Sequence, residues 1–190
     1  MDDADVLVRR HKLDVYAYYR MAEAGILGEN DRVELIDGEL IDMAPIGQGH
    51  AGIVNRLTEV LVLACAGRAI VSNQNPVRLD VQNEPQPDFA ILRRRPDFYE
   101  TGERAGPADV LLLIEVSDSS LRFDRNVKLP LYARTGIPEV WIVDLRRRVV
   151  DVYRAAREGQ YTELTTRQRG DTLSLAVAPD IEVTLEQVFG

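Results

Sequence analysis

A chain of 190 residues, 45% of them hydrophobic, can bury one sizeable core but not two comfortable ones, so a single domain over 1–190 is expected. With 23 Lys and Arg against 31 Asp and Glu, the net charge of -8 repels polyanions over the surface as a whole, and any nucleic-acid function must rest on a local arrangement. No apolar run approaches the roughly 20 residues of a membrane span, and the opening MDDADVLVRRHKLD is acidic where a secretory leader would be basic and then apolar, which points to a cytoplasmic protein with no membrane partner.

In chain order, Asp14 is placed to cap a helix whose face is Val15, Tyr18, Tyr19 and Ala22, with Gly25 as its left-handed stop. In VELIDGELIDM, Asp37-Gly38 separates two short runs, the dipeptide of a two-residue hairpin. Strand alternation sends Glu34 and Ile36 one way and Val33 and Leu35 the other; Glu34 is then either the solvated carboxylate of an edge strand or a functional acid. Ile53, Val54, Leu57, Val60, Leu61 and Ala64 repeat at helical spacing across 47–67, an amphipathic helix of about four turns that packs on a sheet. His50, in its first turn, faces the same way as Val54 and Leu57, as a satisfied imidazole or as a site residue. The lone Cys65 lies in that stripe and reads as a buried, inert thiol.

Residues 69–72 and 76–79 look like strand pieces broken by Ser72-Asn73-Gln74-Asn75, together one irregular hairpin arm. Pro85 and Pro87 stiffen the entry to 88–92, a short strand whose only charge is Asp88. Residues 93–107, charged and rich in Gly and Pro, form a long loop. The stretch 110–145 then reads as strand, crossover helix, strand. Its first run, 110–114, is apolar without alternation, as in a strand covered on both faces, and Glu115 stands at the carboxyl end, where open α/β sheets bind ligands. The helix is expected from near Asp124. Pro130 removes one of its hydrogen bonds, so it kinks there or its first turn begins late. VVDVYR, GQYTEL and TLSLAV, separated by turns at Glu158-Gly159 and Gly170-Asp171, read as an antiparallel meander, and 185–188 as a short closing helix. The fold class is α/β (α+β): a mixed β-sheet flanked by helices, with an N-terminal hairpin and a C-terminal antiparallel meander.

Asp88 and Glu115, at the ends of neighbouring core strands, are the best chemical constellation. Two carboxylates about 4 Å apart repel by roughly 4 kcal/mol at an effective dielectric near 20, so a shared pocket favours a bound proton or a bound cation. With one cysteine and two histidines there is no zinc-ligand spacing, and oxygen ligands suit Mg²⁺ or Mn²⁺. The carbonyl of Val116, directly after Glu115, is well placed to complete such a set. Lys128 lies four residues beyond Asp124, with Tyr132 continuing the line. That spacing describes either a solvated surface pair or a lysine that reaches back over the metal pocket to hold water or stabilise phosphate charge.

Pro87-Asp88, the strand ending in Glu115-Val116, and Lys128 in the next helix resemble the PD-(D/E)XK nuclease superfamily, and more closely its bacterial Uma-two family. The likeness runs from the first helix through VELIDGELIDMAPIGQGH and PDFAIL to the 110–145 unit and the meander, nearly the whole chain. It implies a restriction endonuclease-like fold and a Mg²⁺-dependent (or Mn²⁺-dependent) endonuclease hydrolysing DNA phosphodiester bonds. It implies Asp88 and Glu115 as catalytic metal ligands, Lys128 orienting the attacking water, Glu34 as the additional glutamate of the ELIDG motif, and His50 as the histidine opening the next helix. The superfamily's lysine normally stands two residues after the glutamate, where this chain has Ser117, and Lys128 reads as its migrated replacement. His50, Ser117 and Tyr132 are the candidates to touch substrate. Asp118, Ser119 and Ser120 either cap the turn or touch phosphate. The basic runs Arg93 to Arg95 and Arg146 to Arg148 serve solubility or form a local positive rim. The alternative is a non-catalytic module that binds nucleic acid or protein and retains the fold, which the acidic charge favours. A homodimer fits by analogy with nucleases that pair two sites.

Overall fold

A computed structural model describes residues 10–28 and 30–190; the opening at 1–9, read above as unlike a secretory leader, lies outside them. No helix among the described residues is long and apolar enough to cross a membrane. Helix α1 (Val15–Glu23) is capped by the Asp14 carboxylate, which accepts from the Ala17 amide at 2.7 Å. Strands β1 (Val33–Ile36) and β2 (Glu39–Asp42) form the expected hairpin, with Asp37 and Gly38 both at positive φ in its turn. Helix α2 (Gln48–Cys65) follows, longer than its expected four turns, and buries Val54, Leu57, Leu61 and Cys65.

The main sheet has six strands in the order β3-β4-β5-β6-β7-β8. They are β3 (Ala69–Asn73), β4 (Phe89–Arg93), β5 (Val110–Ser117), β6 (Glu139–Asp144), β7 (Val149–Arg157) and β8 (Gln160–Arg167). Only β5 and β6 pair in parallel. Strand β5 runs past Glu115 to Ser117, and all its residues are buried, as its unbroken apolar run requires. Alternation divides it between two cores. Leu112, Ile114 and Val116 face α2, the hairpin of β9 (Thr172–Leu175) and β10 (Ala178–Thr184), and the closing helix α5 (Leu185–Phe189). Leu113 faces the other core with Ile36, Leu131 and Tyr132, and Glu115, two residues on, faces the same way.

The crossover starts at Leu121, earlier than expected. Helix α3 (Leu121–Phe123) passes into a π turn (Asp124–Lys128) and then α4 (Leu129–Arg134). Pro130 explains the wide turn. In a regular helix it would leave one carbonyl without a donor and drive its ring into another; here the Leu129 amide reaches back to the Asp124 carbonyl five residues away. One extra residue in a turn rotates every later side chain of the helix by about 100°.

Two expectations fail. Residues 76–79 are not a strand: the amides of Val77 and Leu79 donate to the carbonyls of Pro85 and Asn83 within a folded-back loop, and their buried side chains fill the inner core. The C-terminal meander ends at β8, since β9 pairs with β10, a strand the sequence reading did not separate. Buried Glu139 draws that hairpin across the sheet, accepting from the Ala176 amide and from Trp141 and Arg154, while Arg154 also donates to the Ser174 carbonyl.

The β1–β2 hairpin is pinned where it meets the chain entering α1. The Gly38 carbonyl accepts from Leu13 at 2.9 Å, its φ is +70°, and a Cβ there would lie 2.7 Å from Lys12 Cβ and 2.9 Å from the Leu13 carbonyl oxygen. Gly38→Ala is therefore expected to cost at least about 1–2 kcal/mol for the left-handed backbone alone, read as a lower urea unfolding midpoint. An unchanged midpoint would show that the hairpin is not held by this contact.

Candidate active site

At the carboxyl end of β5, between the β1–β2 hairpin, the start of α2 and the π turn, lies a cavity of ≈ 380 Å³. Its polar lining includes Glu34, His50, Asp88, Glu115, Asp124 and Lys128. The four expected catalytic residues reach it for distinct reasons. Asp88 immediately precedes β4, which runs antiparallel to β5, so its side chain falls at the carboxyl end of β5. Glu115 alternates onto the crossover side. Glu34 shares its side of β1 with Ile36, which packs into that same core. Lys128 is carried in by the π turn.

The floor is an ion-pair cluster. Lys128 Nζ lies 3.1 Å from Glu34 Oε2 and 3.3 Å from Glu115 Oε1. Glu34, Glu115 and Lys128 are only 3%, 4% and 5% exposed, so water screens this cluster little. The solvated readings of Glu34 and of an Asp124–Lys128 surface pair are both overturned. The π turn swings Lys128 toward the two glutamates, and the Asp124 carboxylate instead accepts from the Ser117 and Ser120 hydroxyls, each at 2.7 Å. Tyr132 donates to Glu115 Oε1 at 2.5 Å, and the Gln86 amide donates to Glu34 Oε2 at 3.1 Å.

Asp88 is held differently. His50 Nε2 lies 3.1 Å from each of its oxygens, the Val116 amide donates to Oδ2 at 2.8 Å, and Gln74 donates to Oδ1 at 3.3 Å. The Val116 amide is free to do this because the last β4–β5 pair is Phe89 with Ile114. In an extended strand the carbonyl of a residue points to the same side as its amide, so the Val116 carbonyl also lies beyond the end of β4. His50 Nδ1 is buried with no partner among the described residues.

Titration follows from burial and charge. Burial pushes the Glu115 carboxyl well above the ordinary glutamate range; the Lys128 ammonium opposes the rise, and Asp124, Asp88 and Glu34 add to it. Burial raises Asp124 as well. For Lys128, burial disfavours the ammonium, but Glu115, Glu34 and Asp124 outweigh it and hold the group charged, above the ordinary lysine value. His50 is raised mainly by its hydrogen bond to Asp88.

One ammonium thus faces more carboxylates than it neutralises. Among the described residues no group of three or more His, Cys, Asp or Glu side chains is disposed to hold a metal. Asp88, Glu115 and Val116 line one cavity, and two carboxylates with a main-chain oxygen are the kind of donors that a hard cation keeping several of its waters takes. Glu115 Oε1 is already taken by Lys128 and Tyr132, which leaves Oε2 as the oxygen such a cation would use.

The family described as "Putative restriction endonuclease", Uma2, matches residues 15–186. The chain belongs to the Uma2 family. A crystal structure of "a putative nuclease belonging to DUF820" from Anabaena variabilis is similar to it with a TM-score of 0.65 and 17% identity, over 88% of this chain and 95% of that chain, and shows the same fold. No functionally curated protein matches.

Within this Uma2 fold two residues expected at substrate are turned inward. Ser117 and Tyr132 are fully buried, do not line the cavity, and spend their hydroxyls on Asp124 and Glu115. Asp118, Ser119 and Ser120 do line it. Neither basic run does; Arg95 is held by Asp97, Arg146 by Asp118, and Arg148 by the Phe189 carbonyl. Sequence reasoning missed Gln74 and Gln86, which fix Asp88 and Glu34. The signal for Gln86 was its place between two prolines, where an extended backbone keeps its amide out of any ladder.

Removing the ammonium leaves two buried carboxylates without a cation, so Lys128→Met is expected to destabilise the fold by about 3–5 kcal/mol. Glu115, already driven upward by burial, would also lose the ammonium that opposes the rise. The deficit is therefore absent at pH values below the unfolded glutamate range, grows as pH rises from there toward the folded value, and levels off above it. Urea unfolding from pH 4 to 8 checks this, and adding Glu34→Gln and Glu115→Gln should recover most of the loss. A deficit independent of pH would place the Lys128 contribution in packing instead.

Proposed function

We propose that this Uma2 chain is a metal-dependent endonuclease that hydrolyses DNA phosphodiester bonds, using Mg²⁺ or Mn²⁺. The observation that carries it is the surplus of carboxylate over ammonium on the floor of a cavity lined by both Asp88 and Glu115. Asp88, Glu115 and the Val116 carbonyl would hold the cation, which when bound neutralises phosphate charge and makes a water more acidic.

The chain's own groups do the rest. Lys128 has three N–H donors, and Glu34 and Glu115 account for two. The third is available to a water or to a phosphate oxygen. Because its neighbours hold Lys128 charged, it acts as a fixed donor and not as a base. Glu34 Oε2 accepts from Lys128 and Gln86, while Oε1 has no partner among the described residues and is the acceptor for the attacking water's proton. Water oxygen bonds to phosphorus, the bond to the leaving sugar oxygen breaks, and solvent reprotonates that oxygen. Tyr132 and Ser117 position Glu115 and Asp124 without touching substrate.

Charge favours the second reading, a non-catalytic module that keeps the fold, since neither basic run lines the cavity. Metal titrations separate the two. Mg²⁺ or Mn²⁺ at about 100 times its dissociation constant should stabilise the fold by about 2.7 kcal/mol and license nicking of supercoiled plasmid that EDTA abolishes. Asp88→Asn should lose both effects. Glu34→Gln should keep metal binding while its rate falls by about 10²–10⁴. An intact plasmid at saturating metal would leave only the binding module.

A further inference from the structure

We infer that the strand accepted at this site is unpaired DNA, with the base beside the scissile phosphate seated against Phe123; this rests on the phosphodiesterase reading above. Three observations converge. The polar floor is recessed, with Glu34, Glu115 and Lys128 each at most 5% exposed. A phosphate must therefore enter the cavity to meet them, and ≈ 380 Å³ is the scale of a pocket for one small molecule. A flexible single strand can bend one phosphate into such a recess, whereas a stiff duplex presents its phosphates along a broad outer rail.

The walls differ from the floor. Ile41, Met43, Pro45, Ile46 and Phe123 line the same cavity, with Phe123 half-buried and Ile46 43% exposed. A stacked duplex presents sugars and phosphates outward and keeps its base faces covered, so an apolar wall next to a phosphate site matches nothing it offers. An unpaired nucleotide turns its base aside and needs such a surface, and every base has a face that stacks on an aromatic ring.

The cations a duplex would use lie elsewhere. A firm grip on duplex DNA can involve about six to ten phosphate contacts, yet among the described residues the basic side chains at this cavity are Arg32, Lys128 and, when protonated, His50. Arg93 closes β4 at the end remote from Asp88. A short unpaired segment, held by a few polar contacts and one stacked base, suits this distribution.

The test compares a fluorescein-labelled 12-nucleotide single strand with the same sequence as a blunt duplex. Binding is measured by anisotropy in Ca²⁺, and cleavage separately in Mg²⁺. Single-strand binding about tenfold tighter than duplex is expected, weakened about tenfold by Phe123→Ala. Because Phe123 also packs against the inner core, the exposed Ile46→Ala serves as a second probe, with a loss of about threefold. Duplex bound as tightly as single strand, or neither bound, overturns the inference, as does undiminished single-strand binding by both variants when folded. Single-strand preference without any cleavage in Mg²⁺ would sink the hydrolytic reading alone.

Discussion

A buried ammonium needs partners that compensate its lost hydration, and the pairing of Lys128 with Glu34 and Glu115 is the constraint on which this site depends. Desolvating each ion costs several kcal/mol, recovered only when the geometry is close and the remaining donors are satisfied. The contacts at 3.1 and 3.3 Å supply the close geometry with partners from two elements far apart in sequence. They fasten the β1–β2 hairpin over the central strand and hold the π turn against both. A hairpin of two four-residue strands has little stability alone. Here it is anchored by Glu34 inside and by Gly38 against the chain before α1.

The two carboxylates at the carboxyl end of β5 are prepared in opposite ways. Asp88 accepts from an imidazole, an amide side chain and a backbone N–H, contributed by α2, the segment after β3, and β5. Those donors fix its orientation. Glu115 meets a phenol and an ammonium on a single oxygen, in surroundings so dry that its carboxyl is driven upward. One acid is fixed by three donors and the other is desolvated beside like charges, so the proposed cation would relieve repulsion chiefly at Glu115.

Position along strands was legible in the sequence, and the packing of one element against another was not. An apolar run stopping at Glu115, with Asp88 just after a proline, located both acids because a strand's end is visible in one dimension. The side of β1 that carries Glu34 was also correct, since alternation is local. Whether that side meets water depends on where the hairpin docks, which no local period encodes. The C-terminal hairpin failed for a related reason: β9 alternates like any strand, and its partner is chosen by Glu139 and Arg154 on the main sheet.

Lys128 shows most clearly how a local anomaly sets a tertiary contact. At regular helical spacing it belongs to Asp124, four residues back, and that pair would sit on a solvated face. Pro130 forbids the regular spacing. The turn widens to an i to i+5 hydrogen bond, and the ammonium swings from Asp124 toward Glu34 and Glu115. Asp124, released from the lysine, is satisfied by Ser117 and Ser120. Ser117 follows Glu115 by two residues on the same side of β5. Its small hydroxyl caps the acid that the rotated turn left behind. The serine, the proline and the lysine thus meet through one turn: Pro130 follows the widened hydrogen bond, Lys128 reaches the two glutamates, and Ser117 satisfies Asp124.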